Sequence, residues 1–216
     1  MQQSRTFVKG LIYHICNKSI ANYGIFKYSE DASRFLKTLD YYNSKYIHER
    51  FSRYLGKKNA SRFNNLIHPK DDSLIKFLSY CIMPDHYHIV IKVLEDKVLS
   101  RYINNIENSY TRYFNIKYDR KGPLWQSLFR AVLVTSDEQL SHVTRYVHLN
   151  PTSSKLVENP EDWELSSYRD YITNPKVLTE CIPEITINDP KKYKRFCDDQ
   201  KDYQAKLRDI KKLLLE

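Results

Sequence analysis

Apolar residues recur along this chain with two periods, and each switch between them marks a new element. Residues 7–18 alternate Leu11, Tyr13 and Ile15 with Ile12, His14 and Cys16, which predicts a largely buried strand. After a turn over 20–24 and a short strand at 25–26, Ser29 stands where it can cap a helix. Ala32, Phe35, Leu36, Leu39 and Tyr42 of that helix recur at three and four. No period is readable from 43 to 69, a stretch that suits either a short helix or an ordered loop. Residues 75–94 predict a hairpin, with Pro84 breaking the run at Met83-Pro84-Asp85 and a second strand over 87–93. Ile103, Ile106, Tyr110 and Phe114 make an amphipathic helix over 99–114, the basic loop 117–122 ends it, and 128–134 reads as a third core strand. Ser136, with Gln139 three residues on and Asp137 and Glu138 in the first turn, predicts a capped helix to about Leu149, stopped by Pro151. A short helix follows at 164–171. The charged run 189–215, with KKYKR near its start, suits a solvated helix better than a core element.

This β-α-β-β-α-β order implies an α+β fold: a ferredoxin-like antiparallel sheet with helices packed on one face. The other face can remain open as a rigid platform for a site.

Composition narrows the partners. Apolar runs such as 11–16 and 89–93 fall far short of the roughly 20 residues that cross a bilayer, so no membrane span is expected. Lys plus Arg number 35 against 26 Asp plus Glu, a net +9, and 18 tyrosines accompany only 4 glycines. A basic, ring-rich surface suits a polyanion with exposed bases, although charge alone does not separate nucleic acid from an anionic membrane. The opening MQQSRTFVKG lacks a secretory pattern, and Cys16, Cys81, Cys181 and Cys197 form no CxxC pair, so a reduced cytoplasmic protein is the expectation.

His86 and His88 are the sharpest chemical signal. Two residues apart on a strand, they share a face, while Tyr87 and Ile89 point to the other. Neutral imidazoles there can ligate a divalent metal, but two ligands leave a site open, and surface or hydrogen-bonded histidines are a common alternative. Tyr146 and Asn150, four apart, share a face of the capped helix, with His142 a turn upstream and Arg145 beside it. If that helix packs on the open side of the sheet, Asn150 offers a carbonyl oxygen to the metal and Tyr146 a phenolic nucleophile. A phosphodiester attacked there would leave a 5′-phosphotyrosine. With a reference pKa of about 10, the phenol needs metal assistance or a proton acceptor, for which His142, Asp85 and solvent are candidates. Tyr110 and Tyr113 are alternative tyrosines, but their helical stripe with Phe114 fits packing.

PDHYHIVI at 84–91, ENSYTRYFNIKYDRKGPLWQSLFRAVLV at 107–134, RYVHLNP at 145–151 and WELSSYRDY at 163–171 together resemble the IS200-like single-tyrosine transposases. The nearer branch is the REP-associated tyrosine transposases of the HUH endonuclease superfamily. The resemblance covers roughly residues 7–175 and implies a catalytic domain, taken as 1–180, while the charge pattern reads 181–216 as a charged helical extension. It implies cleavage and strand transfer of single-stranded or hairpin DNA with Mg2+ or Mn2+. The metal-binding histidines map onto His86 and His88, the nucleophile onto Tyr146, and the polar helix-borne ligand onto Asn150. Gly122-Pro123-Leu124-Trp125 and Ser153-Ser154-Lys155 depart from the family's usual pattern, which bears on DNA specificity more than on chemistry. Arg112, Lys117, Arg120, Lys121 and Arg130 are candidate phosphate contacts, and Tyr118 and Trp125 candidate stacking rings. The competing reading is a noncatalytic hairpin-binding regulator on the same scaffold.

Overall fold

A computed structural model describes residues 6–56, 66–68, 70–201, 203 and 204. The alternating runs pair into one antiparallel sheet of β1 (Ile12–Lys18), β2 (Ile75–Ile82), β3 (His86–Val93) and β4 (Arg130–Val134), in the order β2-β3-β1-β4. β2 and β3 are joined by the hairpin at Pro84, where Met83 N donates to the His86 carbonyl at 2.8 Å. Helices α1 (Ser29–Tyr42) and α3 (Leu99–Lys117) make the two crossovers, and the short helix α2 (Phe51–Leu55) lies between α1 and β2. Each crossover skips a strand, which puts β1 and β3 at the centre. Tyr13, Ile15 and Asn17 are in register with Ile91, Ile89 and Tyr87, and all are buried. Phe35 of α1 and Tyr110 of α3 close over this face, with Phe35 packing 5.3 Å from the Tyr87 ring. Burying each such side chain contributes about 1.5–3 kcal/mol.

The opposite face, which could have stayed open, is covered along part of its width. α4 (Asp137–Ser153) lies against β2 and β3, and α5 (Tyr168–Thr173) and α6 (Pro190–Asp198) pack with it, leaving the β1–β4 side uncovered. β4 is therefore no core strand: it pairs with β1 alone, and Arg130, Val132 and Leu133 are exposed. β1 starts at Ile12 rather than at 7, because Gly10 adopts a positive φ of 84° and turns the chain into the sheet. Ile25 and Phe26 are buried in a turn, not a strand, with Phe26 N donating to the Pro84 carbonyl at 2.8 Å. Ser29 does not cap α1. It is the first helical residue, and Tyr28 occupies the cap position with no side-chain hydrogen bond.

Ser136 does cap α4, its side chain accepting from Gln139 N at 3.1 Å. That helix passes through Pro151 to Ser153 instead of ending near Leu149. Proline's φ is helical, and so close to the terminus it removes one N–H without breaking a long ladder. α5 is displaced from the expected 164–171 to Tyr168–Thr173. The KKYKR segment is not a purely solvated helix: α6 buries Tyr193 and Cys197 completely among Tyr168, Tyr171 and His148. Its charges occupy the remaining arc, a separation that composition hides. Residue 202 and residues 205–216 of the expected tail lie outside the described residues. Among the described residues no helix is long and apolar enough to cross a membrane.

A buried carboxylate joins the two crossover helices. Asp31 of α1 accepts from Lys117 Nζ at 2.8 Å, Tyr113 Oη at 2.8 Å and Tyr118 Oη at 2.5 Å. Burial pushes its pKa up, but these hydrogen bonds outweigh that effect and hold it below the ordinary value. Because the folded value is the lower one, the carboxylate's stabilisation is complete above the unfolded value of about 3.9 and is lost as the pH falls through the folded value. We expect Asp31→Asn to cost about 2 kcal/mol at pH 7, since the ion pair with Lys117 is lost and an amide has one acceptor oxygen in place of two. Urea titrations should show a shallower loss of stability below about pH 4 in the variant, and parallel pH profiles would refute the assignment.

Candidate active site

Register across β4, β1 and β3 assembles the uncovered side. Cys16 stands opposite Arg130 on one flank and His88 on the other, and Lys18 stands opposite His86. The His86 and His88 rings are 5.1 Å apart, edge to face. Each ring is oriented through its Nδ1 by a different neighbour. Asp85 Oδ1 lies 2.5 Å from His86 Nδ1, and its second oxygen is 3.4 Å from Lys18 Nζ. His14 Nε2 lies 3.0 Å from His88 Nδ1, with the two rings stacked at 5.2 Å. Burial pushes the His14 imidazolium down to about 4, so at neutral pH its ring carries a lone pair able to accept the His88 Nδ1 proton. Both engagements use Nδ1 and would leave Nε2 as the ligating nitrogen of each histidine.

α4 brings Tyr146 and Asn150 to this face. The Tyr146 ring meets His88 edge to face at 5.6 Å and His14 at 6.2 Å, and it remains 41% exposed. Asn150 Nδ2 donates to the Tyr146 carbonyl at 3.1 Å, which leaves the amide Oδ1 as its acceptor. His86, His88, Tyr146 and Asn150 line one cavity of about 560 Å³, together with Arg130 and Gln204. Gln204 Nε2 also donates to the Tyr146 carbonyl, at 3.1 Å.

The helix is held from its far side. His148 lies two residues from Tyr146, about 200° around the helix. It is fully buried, with Nδ1 at 2.8 Å from Tyr193 Oη and Nε2 at 2.8 Å from Ser167 Oγ. Ser167 Oγ in turn accepts from Tyr80 N on β2 at 2.9 Å. A chain of hydrogen bonds thus ties β2, α4 and α6, and burial drives the His148 imidazolium down to about 3. Arg145 supports the same junction, donating to the Phe196 carbonyl at 3.3 Å with its guanidinium 4.1 Å over the Phe196 ring.

Other expected residues fall elsewhere. His142 is 2.8 Å from Arg145 and does not line the cavity. Tyr110 is buried on the α1–α3 side, donating to the Ile25 carbonyl at 2.6 Å, and Tyr113 is bound to Asp31. Among the candidate DNA contacts, Arg130 lies in the Tyr146 cavity, whereas Arg112 and Lys117 line a groove between α1 and α3. Lys117 and Tyr118 bind Asp31, and Arg120 donates to Asn115 Oδ1 at the end of α3 and to the Pro123 carbonyl of its own loop. Lys121 is exposed, and Trp125 packs 5.6 Å from Tyr87 with its Nε1 donating to the Glu107 carbonyl. Sequence reasoning missed His14 and Gln204. The alternation of β1 contained a signal for His14, because register with β3 puts it on the histidine face.

A four-stranded antiparallel sheet, a histidine pair and a tyrosine on the helix above it together have the form of a single-tyrosine transposase. Residues 8–150 match the family model described as transposase IS200 like, and the chain belongs to that family. A protein of Haemophilus influenzae assigned to the REP-associated tyrosine transposases is 28% identical over 117 residues. The match covers 50% of this chain and 64% of that relative. The solved structure of a REP-associated tyrosine transposase bound to a REP hairpin superposes with a TM-score of 0.55 at 13% identity, covering 81% of this chain and 87% of that one, a likeness of fold. A transposase-assigned structure from Deinococcus radiodurans gives a TM-score of 0.38 at 14% identity, over 68% of this chain and 95% of that one.

Proposed function

We propose that this chain is a metal-dependent endonuclease and strand transferase of single-stranded DNA, acting at hairpin-associated sites through a 5′-phosphotyrosine on Tyr146. The observation that carries the reading is the Tyr146 ring, exposed at the mouth of a cavity and 5.6 Å from the ring of His88. The hairpin-bound relative supports the choice of substrate. In the reaction the Tyr146 phenolic oxygen forms the new bond to phosphorus and the P–O3′ bond breaks. The phenol proton passes to solvent, and the departing 3′ oxygen leaves as a hydroxyl after taking up a proton. Attack of a 3′-hydroxyl on the phosphotyrosine reverses these bond changes and joins strands. Arg130 lines the same cavity without a carboxylate partner among the described residues, which supports its role in holding the phosphate.

Among the described residues no three His, Cys, Asp or Glu side chains form a metal cluster. The fitting donor set is instead His86, His88 and the amide oxygen of Asn150. Two imidazoles and one amide oxygen fit a transition ion such as Mn2+ best, and leave room for the water and phosphate oxygens that Mn2+ or Mg2+ would require. A divalent ion held there would polarise the phosphodiester and favour the phenolate. Asp85 orients His86 as the outer carboxylate partner, so Asp85→Asn should weaken Mn2+ binding by about 10- to 100-fold in calorimetry. Unchanged affinity would show that Asp85 does not support His86 as a metal ligand.

The proposal is tested by incubating the full chain with a panel of single-stranded hairpin DNAs and Mg2+ or Mn2+, followed by denaturing electrophoresis and intact mass. A protein–DNA adduct carrying the 5′-phosphate side of the cut is expected. Tight binding with no adduct on any DNA would overturn it in favour of a noncatalytic hairpin reader.

A further inference from the structure

On the sheet face opposite Tyr146, α1, α2 and α3 enclose a groove of about 970 Å³. Arg34 projects from α1 into its lining, with its guanidinium carbon 4.3 Å from the Phe51 ring centre and 4.9 Å from that of Tyr113. Aromatic faces stabilise a cation but supply no hydrogen-bond acceptor to its in-plane N–H groups. Arg34 Nε is closed off from solvent and has no hydrogen-bond partner. Arg34 as a whole is half-buried: its Nε is sealed, and its terminal Nη groups are the ones an anion in the groove would meet. Arg50 and Arg112 line the same groove, and neither they nor Arg34 form an ion pair with a carboxylate among the described residues. Lys117, at the groove's end, is by contrast committed to Asp31.

We propose that this groove binds the phosphodiester backbone of single-stranded DNA lying outside the segment that reaches Tyr146. The inference rests on the DNA reading of the Tyr146 site and adds a second contact on the other face of the sheet. Phosphate oxygens match the planar edge of a guanidinium, and three arginines without carboxylate partners give the charge complementarity. Tyr41 and Tyr42 line the groove beside them, half-buried, with the Tyr41 ring stacked on Phe51. The carboxylate lining it among the described residues is Glu49, so the groove is strongly cationic.

The test compares two fluorescein-labelled strands on the full chain by anisotropy: a short hairpin oligonucleotide limited to the cleavage position, and the same oligonucleotide extended by single-stranded flanks. Wild type should bind the extended strand more tightly. Arg50→Ala/Arg112→Ala, altering residues outside the Arg34 stack, should remove most of that difference, weakening binding of the extended strand about 10-fold or more. Its slope of log affinity against log salt should fall by about 0.7 for each phosphate that the variant no longer neutralises. Photocrosslinking from iodouracil placed in the flanks should label peptides containing Tyr41 or Tyr113. An affinity difference that survives the double variant, or crosslinks confined to other peptides, would overturn the groove. A duplex extension that binds as well as the single-stranded one, with the same dependence on Arg50 and Arg112, would overturn the single-strand assignment. Failure of the Tyr146 reading is separately visible, as absence of the covalent adduct while anisotropy still responds to the flanks.

Discussion

Replacing Tyr146 by phenylalanine should abolish the covalent protein–DNA adduct, a fall on the order of 10³-fold or more in its rate of formation. The substitution removes one oxygen and keeps the ring that meets His88 at 5.6 Å and His14 at 6.2 Å. That hydroxyl makes no hydrogen bond among the described residues, and the side chain is 41% exposed, so folding should be almost untouched. Melting temperature and Mn2+ affinity are therefore the internal controls, both expected to match wild type. This pattern separates loss of the nucleophile from damage to the metal set, which would lower metal affinity as well. Persistence of the adduct in Tyr146→Phe would assign the nucleophile to another residue.

The second large effect lies behind the tyrosine. His148→Ala should destabilise the protein by about 4 kcal/mol, combining a cavity at a fully buried position with the loss of the hydrogen bonds to Tyr193 Oη and Ser167 Oγ. For a chain of this size that corresponds to a melting temperature roughly 10 °C lower. Because His148 and Tyr146 occupy opposite sides of α4, the loss also frees the helix that carries the nucleophile. Adduct formation should then fall further than the folded fraction does. A double-mutant cycle with Tyr193→Phe measures the link directly, with a coupling of about 1 kcal/mol or more expected. Additive effects of the two substitutions would show that the imidazole merely fills space and does not tie α6 to α4.

The two kinds of element differed in how far local pattern revealed them. The β2–β3 hairpin, α3 and the capped start of α4 were legible because alternation, three-and-four spacing and a Ser136–Gln139 cap act within a few residues. The burial of α6 was not, because KKYKR reads as solvated unless it is known that Tyr193 meets His148, 45 residues away. The exposure of β4 was missed for a similar reason: an apolar run such as Ala131 to Val134 looks like core, and only its place beside β1 alone makes it an edge. Pro151 shows a local rule applied too strictly, since a proline near the end of a helix removes little ladder to break.

For the site, sequence alone determined which chemistries are present and how they are spaced: two imidazoles two apart on a strand, and a phenol and an amide four apart on a helix. Those relations are properties of backbone geometry and hold in whatever fold the chain adopts. Tertiary structure alone decided that the helix face meets the strand face, that His14 stands 3.0 Å from His88 and that Arg130 joins their cavity. It also decided that Arg112 turns to the opposite side of the sheet. His14 and His88 lie 74 residues apart, and their contact depends on the register of β1 against β3, which the burial of the whole α1–α3 face selects.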